Sequence, residues 1–165
     1  HSMHFDLNDL YENIVDPHIF IDLEKPFPQE ETHDVVKNLP ADKSPGPDGF
    51  NNEFLKNCWD IIKADAIELI MAFHAGNVNL ESINTSFITL IPKKEVPLSP
   101  NDFRPISLLN GVLKIITKLL ANRLQRVILQ MVHINQYHFL KDRVIQDCLG
   151  SAYQYIHQCH DNPQV

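Results

Sequence analysis

Apolar and polar positions along the chain follow two different periods. Apolar residues recur at three- and four-residue spacing over about 29–39, 54–75, 112–132 and 144–157, which predicts four helices. Between the second and third of these, 86–91 and 103–109 are apolar and β-branched runs separated by a polar, proline-containing connection. The pattern therefore predicts an α+β fold that is mostly α-helical, with a small antiparallel β-ribbon.

Prolines and glycines divide these elements. The stretch 43–49 (KSPGPDG) cannot be helix or central strand, because its prolines fix φ and its glycines allow positive φ, and it predicts a rigid turn. Pro40 is expected to end the first helix and Gly76 the second. Residues 4–24 mix apolar and acidic positions around Pro17, which predicts a short helix followed by an extended segment.

Composition fits an ordinary globular chain with an uneven charge. The 165 residues are 44% hydrophobic and 21% charged, and no apolar run approaches the roughly 20 residues of a membrane helix. The net charge is −7, with 16 acids against 5 bases in residues 1–82 but 7 bases against 2 acids in 88–126. Charge alone therefore argues against a dedicated nucleic-acid binder and leaves a local basic region.

Cysteines and histidines give no strong metal or disulfide signal. Three cysteines (Cys58, Cys148 and Cys159) do not make a disulfide framework, so we expect an intracellular protein, in the cytoplasm or the nucleus. His157, Cys159 and His160 lack the second ligand pair of a structural zinc site, and a solvated helix end is the preferred interpretation. The sequence therefore predicts no metal, no other cofactor and no membrane association.

Five motifs in one order carry a resemblance to a known family. They are 43–49 (KSPGPDG), 90–94 (LIPKK), 101–109 (NDFRPISLL), 119–124 (LLANRL) and 135–139 (NQYHF). Together they resemble the fingers region of reverse transcriptases from LINE-type (non-LTR) retrotransposons, particularly those of plants. The resemblance implies reverse-transcriptase fingers-like helices around the ribbon over 25–158, preceded by a lead-in at 1–24 and followed by a divergent tail at 159–165. His1 and Ser2 are expected to be a tag remnant.

The resemblance also implies roles for basic residues. In this family the two fingers strands close over the incoming nucleotide, so Lys93, Lys94 and Arg104 would bind its phosphates. Further bases would contact the template backbone, with a merely solubilising helix face as the alternative for those on the third helix: Lys114, Lys118, Arg123, Arg126 and Arg143.

Several features depart from the family pattern. The metal-binding aspartates of the family's palm are absent from this sequence, so we expect no catalytic residue here. The family commonly has a small residue at His138, glycine at Asp142 and asparagine at Cys148. A glycine at position 142 would indicate positive φ or a close backbone approach.

Two hypotheses for function follow. The first is a catalytically incomplete, retrotransposon-derived module that binds a protein partner or itself through exposed apolar surface, with weak or no nucleic-acid binding. The second is the template- and nucleotide-binding fingers portion of a LINE reverse transcriptase, an RNA-directed DNA polymerase. The acidic balance and the departures favour the first.

Overall fold

The helices begin and end where the local sequence supplies the required groups. The computed structural model describes residues 20–81, 83–133 and 136–161. Helix α1 (Gln29–Lys37) carries acids in its first turn, which suits the helix dipole, and Asn38 closes its end by donating from Nδ2 to the Asp34 carbonyl at 2.8 Å. The elements that follow are α2 (Asn52–Asn57), α3 (Trp59–His74), β1 (Ser86–Pro92), β2 (Phe103–Leu109), α4 (Gly111–Met131) and α5 (Ile145–Asp161).

The fold class is confirmed, with corrections to element bounds. The single helix predicted from Phe54 is two helices, because Cys58 leaves helical geometry at ψ 6° while its N–H still bonds the Phe54 carbonyl. The last helix runs four residues beyond its predicted end at His157. The short helix predicted within 4–24 and the tag remnant lie outside the described residues. The extended segment predicted to follow that helix is wrong over 20–24, where the chain forms a turn and the Leu23 N–H donates to the Phe20 carbonyl at 2.9 Å. The division into 1–24, 25–158 and 159–165 stays a prediction.

The two strands form an antiparallel ribbon. Ser86 pairs with Leu109 at one end and Pro92 with Phe103 at the other, and a 3₁₀ turn (Pro100–Asp102) closes the connection before β2. Since successive side chains of a strand point to opposite faces, the register fixes which residues share a face.

The chain forms two compact units. The first, here the ribbon unit, is Lys25–Ala121 and contains α1, α2, α3, the ribbon and the first half of α4. Its core is built from helical and adjoining residues: Phe27, Val35, Val36, Leu39, Leu55, Trp59, Ala66, Ile70, Ile115, Ile116 and Leu119. No residue of β1 or β2 belongs to that core cluster.

The second unit, here the C-terminal unit, comprises the described residues of 20–24 and 122–161. Within it, Val127 and Arg123 on α4 are buried, whereas the side chains described for α5 are exposed. None of the described helices combines the length and apolar character that crossing a bilayer requires.

Candidate functional site

The two predicted phosphate-binding lysines hold the connection between the strands. Lys93 Nζ donates to the Asn101 carbonyl at 2.8 Å, and its backbone N–H donates to the Asp102 carbonyl at 2.7 Å. Lys94 Nζ lies 2.9 Å from Asp102 Oδ1, while Asp102 Oδ2 accepts from the Leu98 and Ser99 amides. Both side chains therefore contribute to the structure of the loop.

Asp102 is the electrostatic centre of this loop. The Lys94 ammonium, followed by the Leu98 amide, lowers the pKa of the Asp102 carboxyl below its ordinary value of 3.8. The carboxylate is only 18% exposed and the lysine is half exposed. The ionised pair therefore stabilises the loop conformation at neutral pH.

Arg104 lies in a different environment. It is exposed on β2, directly opposite Ile91, and its side chain makes no hydrogen bond or ion pair with the part of the chain that the structure describes. The alternation of the strands places it on one face with Phe87, Thr89 and Ile106. Of the three predicted phosphate-binding residues, Arg104 is the one whose side chain has no partner in the described ranges, whereas both lysines bind the loop.

Both faces of the ribbon are apolar and open to solvent. Phe87, Ile91 and Ile106 share one face with exposed fractions of 57%, 44% and 42%. On the other face Ile88 is 70% and Leu90 is 59% exposed. An isolated two-stranded ribbon is marginally stable in water and normally needs a packed face. The ribbon thus exposes an apolar surface on each of its two faces.

The KSPGPDG turn contacts the root of the ribbon, which is the end where β1 begins and β2 leads into α4. This contact was not predicted from the sequence. Asp48 Oδ2 accepts from the Gly111 N–H at 2.5 Å, and Asp48 Oδ1 accepts from the Phe50 N–H at 3.1 Å. Gly111 is the first residue of α4, so the Asp48 carboxylate lies at the positive end of that helix dipole. An Asp-Gly pair after proline signals a turn but gives no sign of a partner about 60 residues away.

The remaining predicted bases divide between the two units. In the ribbon unit, Lys114 Nζ donates to the Ser44 carbonyl at 2.7 Å, and Lys118 is exposed. In the C-terminal unit, Arg126 is exposed. These three lie on α4, whose helical spacing the sequence predicted.

Two other predicted bases of the C-terminal unit bind backbone carbonyls. Arg123 is buried, with Nη1 at 3.5 Å from the Leu23 carbonyl. Arg143 donates to the carbonyls of His133 and Gln136, each at 2.7 Å, and so fixes the segment before α5. Their template-contact role stays a prediction, and the geometry gives each of them a structural contact.

Metal-binding geometry is not found in the described ranges. Within 20–81, 83–133 and 136–161, no three His, Cys, Asp or Glu side chains come together in a way that could hold a metal ion.

Comparisons with known proteins give transposon-encoded relatives. The chain is 32% identical over 126 residues to an uncharacterized 149 kDa protein of transposon TX1 from Xenopus laevis, covering 76% of this chain and 10% of that protein. It is 30% identical over 120 residues to a probable RNA-directed DNA polymerase from transposon BS of Drosophila melanogaster, covering 70% of this chain and 13% of that protein. No family model matches the chain.

The chain is similar to a transposon protein and to a probable RNA-directed DNA polymerase of a transposon, and this similarity supports a reverse-transcriptase-like, transposon-derived origin. The chain spans about a tenth of the length of the curated relatives it matches.

Proposed function

We propose that this chain acts by binding protein, and that its ribbon docks on another part of a transposon-encoded polymerase. The observation that carries the proposal is the ribbon itself, which exposes large apolar side chains on both faces and places none of them in the core. In this proposal the stretch has no catalytic residue of its own, and the metal-binding aspartates come from elsewhere in the polymerase. The LINE-type, plant-like origin is part of the proposal and rests on the five motifs.

The energetics favour a covered ribbon. Fully burying an isoleucine or leucine side chain contributes about 1.5–3 kcal/mol. Ile88 and Leu90 lie two residues apart on one face and are both more than half exposed, so covering them would recover most of that amount for each. A contiguous apolar surface of this kind normally marks an interface.

The relatives suggest which protein covers the apolar faces of the ribbon. About nine tenths of each matched relative lies outside the aligned stretch, so a polymerase of that kind has ample protein to pack on the ribbon. We infer that the partner surface is apolar, because both ribbon faces are, and that it leaves room for Arg104 on the face that Arg104 shares with Ile91.

The test is a binding measurement in which this chain and the rest of a polymerase are supplied as separate chains. The transposon BS polymerase lacking its matched 120-residue stretch is mixed with this chain, and binding is measured by calorimetry, with the relative's own stretch as the positive control. Ile88→Lys and Leu90→Lys should each weaken binding about 10- to 150-fold, equivalent to the lost burial. Ile61→Lys, at an isoleucine of α3 that is 81% exposed, should bind normally.

Three results would refute the proposal. The first is no binding by this chain while the relative's own stretch binds. The second is unchanged binding in Ile88→Lys and Leu90→Lys. The third is an equal loss in Ile61→Lys, which would show that binding does not select the ribbon.

A second function, nucleotide binding, is favoured by one observation. Arg104 is exposed and its guanidinium has no partner in the described ranges, whereas Lys93 and Lys94 hold the loop. We propose that Arg104 contacts the triphosphate and that the two lysines support the loop beside it. Titration with a nucleoside triphosphate should give weak, salt-sensitive binding that Arg104→Ala abolishes and Lys118→Ala retains. Equal binding by both variants would refute this role.

A further inference from the structure

The ribbon joins the rest of its unit at its root, the end where β1 begins and β2 ends. Every residue of β1 is exposed, and β2 is buried at neither end. The segment before β1 and the junction between β2 and α4 therefore decide where the ribbon points. The side chains of two polar residues, Asn110 and Asp48, make hydrogen bonds at that place.

Asn110 joins three separate segments. Its side chain is buried, and Nδ2 donates to the Ile83 carbonyl at 2.9 Å and to Thr85 Oγ1 at 3.4 Å, just before β1. Its Oδ1 accepts from the Asp48 N–H at 3.0 Å. One carboxamide that follows β2 thus holds the start of β1 and the KSPGPDG turn together.

The turn is fitted to the same place. Asp48 accepts from the Gly111 N–H, the residue after Asn110. Gly46 is buried, and a Cβ there would overlap the Leu109 carbonyl group, so the turn backbone lies directly against the end of β2. Lys114 adds a hydrogen bond from α4 to the turn at Ser44. The contacts form one latch, defined here as Gly46, Asp48, Asn110 and Gly111.

We propose that this latch is a positioning device, and that Asn110 and Asp48 are positioning residues that set the direction of the ribbon relative to the helical core of its unit. They act without touching the docking faces. The proposal deepens the proposed function and rests on it for the docking arm of the test below. Its structural arm requires no partner.

The length of the ribbon makes its root angle decisive. Seven-residue strands at about 3.3 Å per residue extend roughly 23 Å, so a tilt of about 20° at the root moves the tip by about 8 Å. A displacement of that size would separate the ribbon from a complementary surface. The strand ladder itself would stay intact, which distinguishes misdirection from unfolding.

The structural arm measures the direction of the ribbon by pulsed electron–electron resonance. Spin labels are attached at Ile61→Cys on α3 and Val96→Cys in the ribbon connection, both exposed, after Cys58, Cys148 and Cys159 are changed to serine. The labelled parent should give a narrow distance distribution. Asn110→Ala and Asp48→Ala should broaden it on the scale of the tip displacement of about 8 Å. Asp48→Asn, which keeps an acceptor for Gly111, should stay close to the parent.

Controls separate direction from folding. Trp59, the single tryptophan, lies in the core and reports by fluorescence whether the unit is folded. Amide exchange over β1 and β2 reports whether the strand ladder persists. If Asn110→Ala does not fold, Asp48→Ala is used in its place. That variant keeps the hydrogen bond from the backbone N–H of residue 48 to Asn110 and so removes fewer contacts.

The docking arm repeats the trans-binding measurement with the latch variants. We expect the affinity of folded Asp48→Ala to fall at least tenfold, while the amides of β1 and β2 keep the same protection from exchange. Distance distributions of parental width in the folded variants would overturn the latch proposal even if docking occurs. Broad distributions in a chain that never docks would retain the latch and refute the proposed function instead.

Discussion

Replacing Gly46 by alanine tests how closely the turn approaches the ribbon root. The added Cβ would lie 2.6 Å from the Asn110 nitrogen, about 0.8 Å short of the 3.4 Å at which ordinary contact begins. Moving the turn away by that amount would stretch the 3.0 Å hydrogen bond from the Asp48 N–H to Asn110 beyond hydrogen-bonding distance.

The expected cost combines two terms. Overpacking costs about 1–3 kcal/mol, and leaving a buried hydrogen-bonding group unpaired costs about 1–3 kcal/mol. We therefore expect Gly46→Ala to lower the free energy of unfolding by about 4 kcal/mol, a large part of the stability of a domain.

Gly49→Ala is the matched control within the same turn. Gly49 has φ +74°, but a Cβ there meets open space, so alanine should cost only the about 1–2 kcal/mol of a left-handed residue. Urea unfolding is followed by Trp59 fluorescence, which reports this unit. Equal destabilisation by the two variants, within about 0.5 kcal/mol, would show that no close approach exists at Gly46.

Three further predictions concern other parts of the chain. Asp142 has φ 69°, so Asp142→Gly should stabilise the C-terminal unit by about 0.5–1 kcal/mol, measured by native-state hydrogen exchange, and a loss of protection would contradict this. Gly150→Ala, inside α5 with no atom within 4 Å of the new Cβ, should raise helicity in circular dichroism, and lower helicity would be the contrary result. Because the Lys94 pair and then the Leu98 amide lower the pKa of Asp102, the ionised carboxylate stabilises the folded loop above pH 3.8, and this contribution is lost as the pH falls through the lowered value. The protection factors of the Leu98 and Ser99 amides, which compare each exchange rate with the intrinsic rate at the same pH, should then fall in acid. Asp102→Asn should show low protection at every pH, and protection factors that do not change with pH in the parent would refute the assignment.

Elements with a strong local signal were predictable from the sequence. The bounds of the two strands were predicted to within one residue, because apolar and β-branched runs beside proline-containing segments give a strong local signal. The family commonly has glycine at the position of Asp142, which indicated positive φ or a close backbone approach. The observed φ of Asp142 is 69°. The break between α2 and α3 was missed, since apolar periodicity continues across Cys58 without interruption.

Long-range polar contacts were not predictable. Neither the Asp48 contact with Gly111 nor the carboxamide of Asn110 has a local sequence signature, because the partners are brought together only by the fold. For the same reason charge alone could not separate Arg104, which stays open, from Arg123, which is buried. Burial and partner geometry, rather than residue type, decide which bases can meet a ligand.

Hydrogen exchange of the ribbon in the trans complex tests the central claim most directly. Amide exchange rates over 86–92 and 103–109 are compared between the free chain and the chain bound to the BS polymerase that lacks its matched stretch. The docking proposal predicts slower exchange concentrated in these two strands, and a smaller change in Ile88→Lys at the same partner concentration. Slower exchange confined to the helices, with the ribbon unchanged, would contradict it.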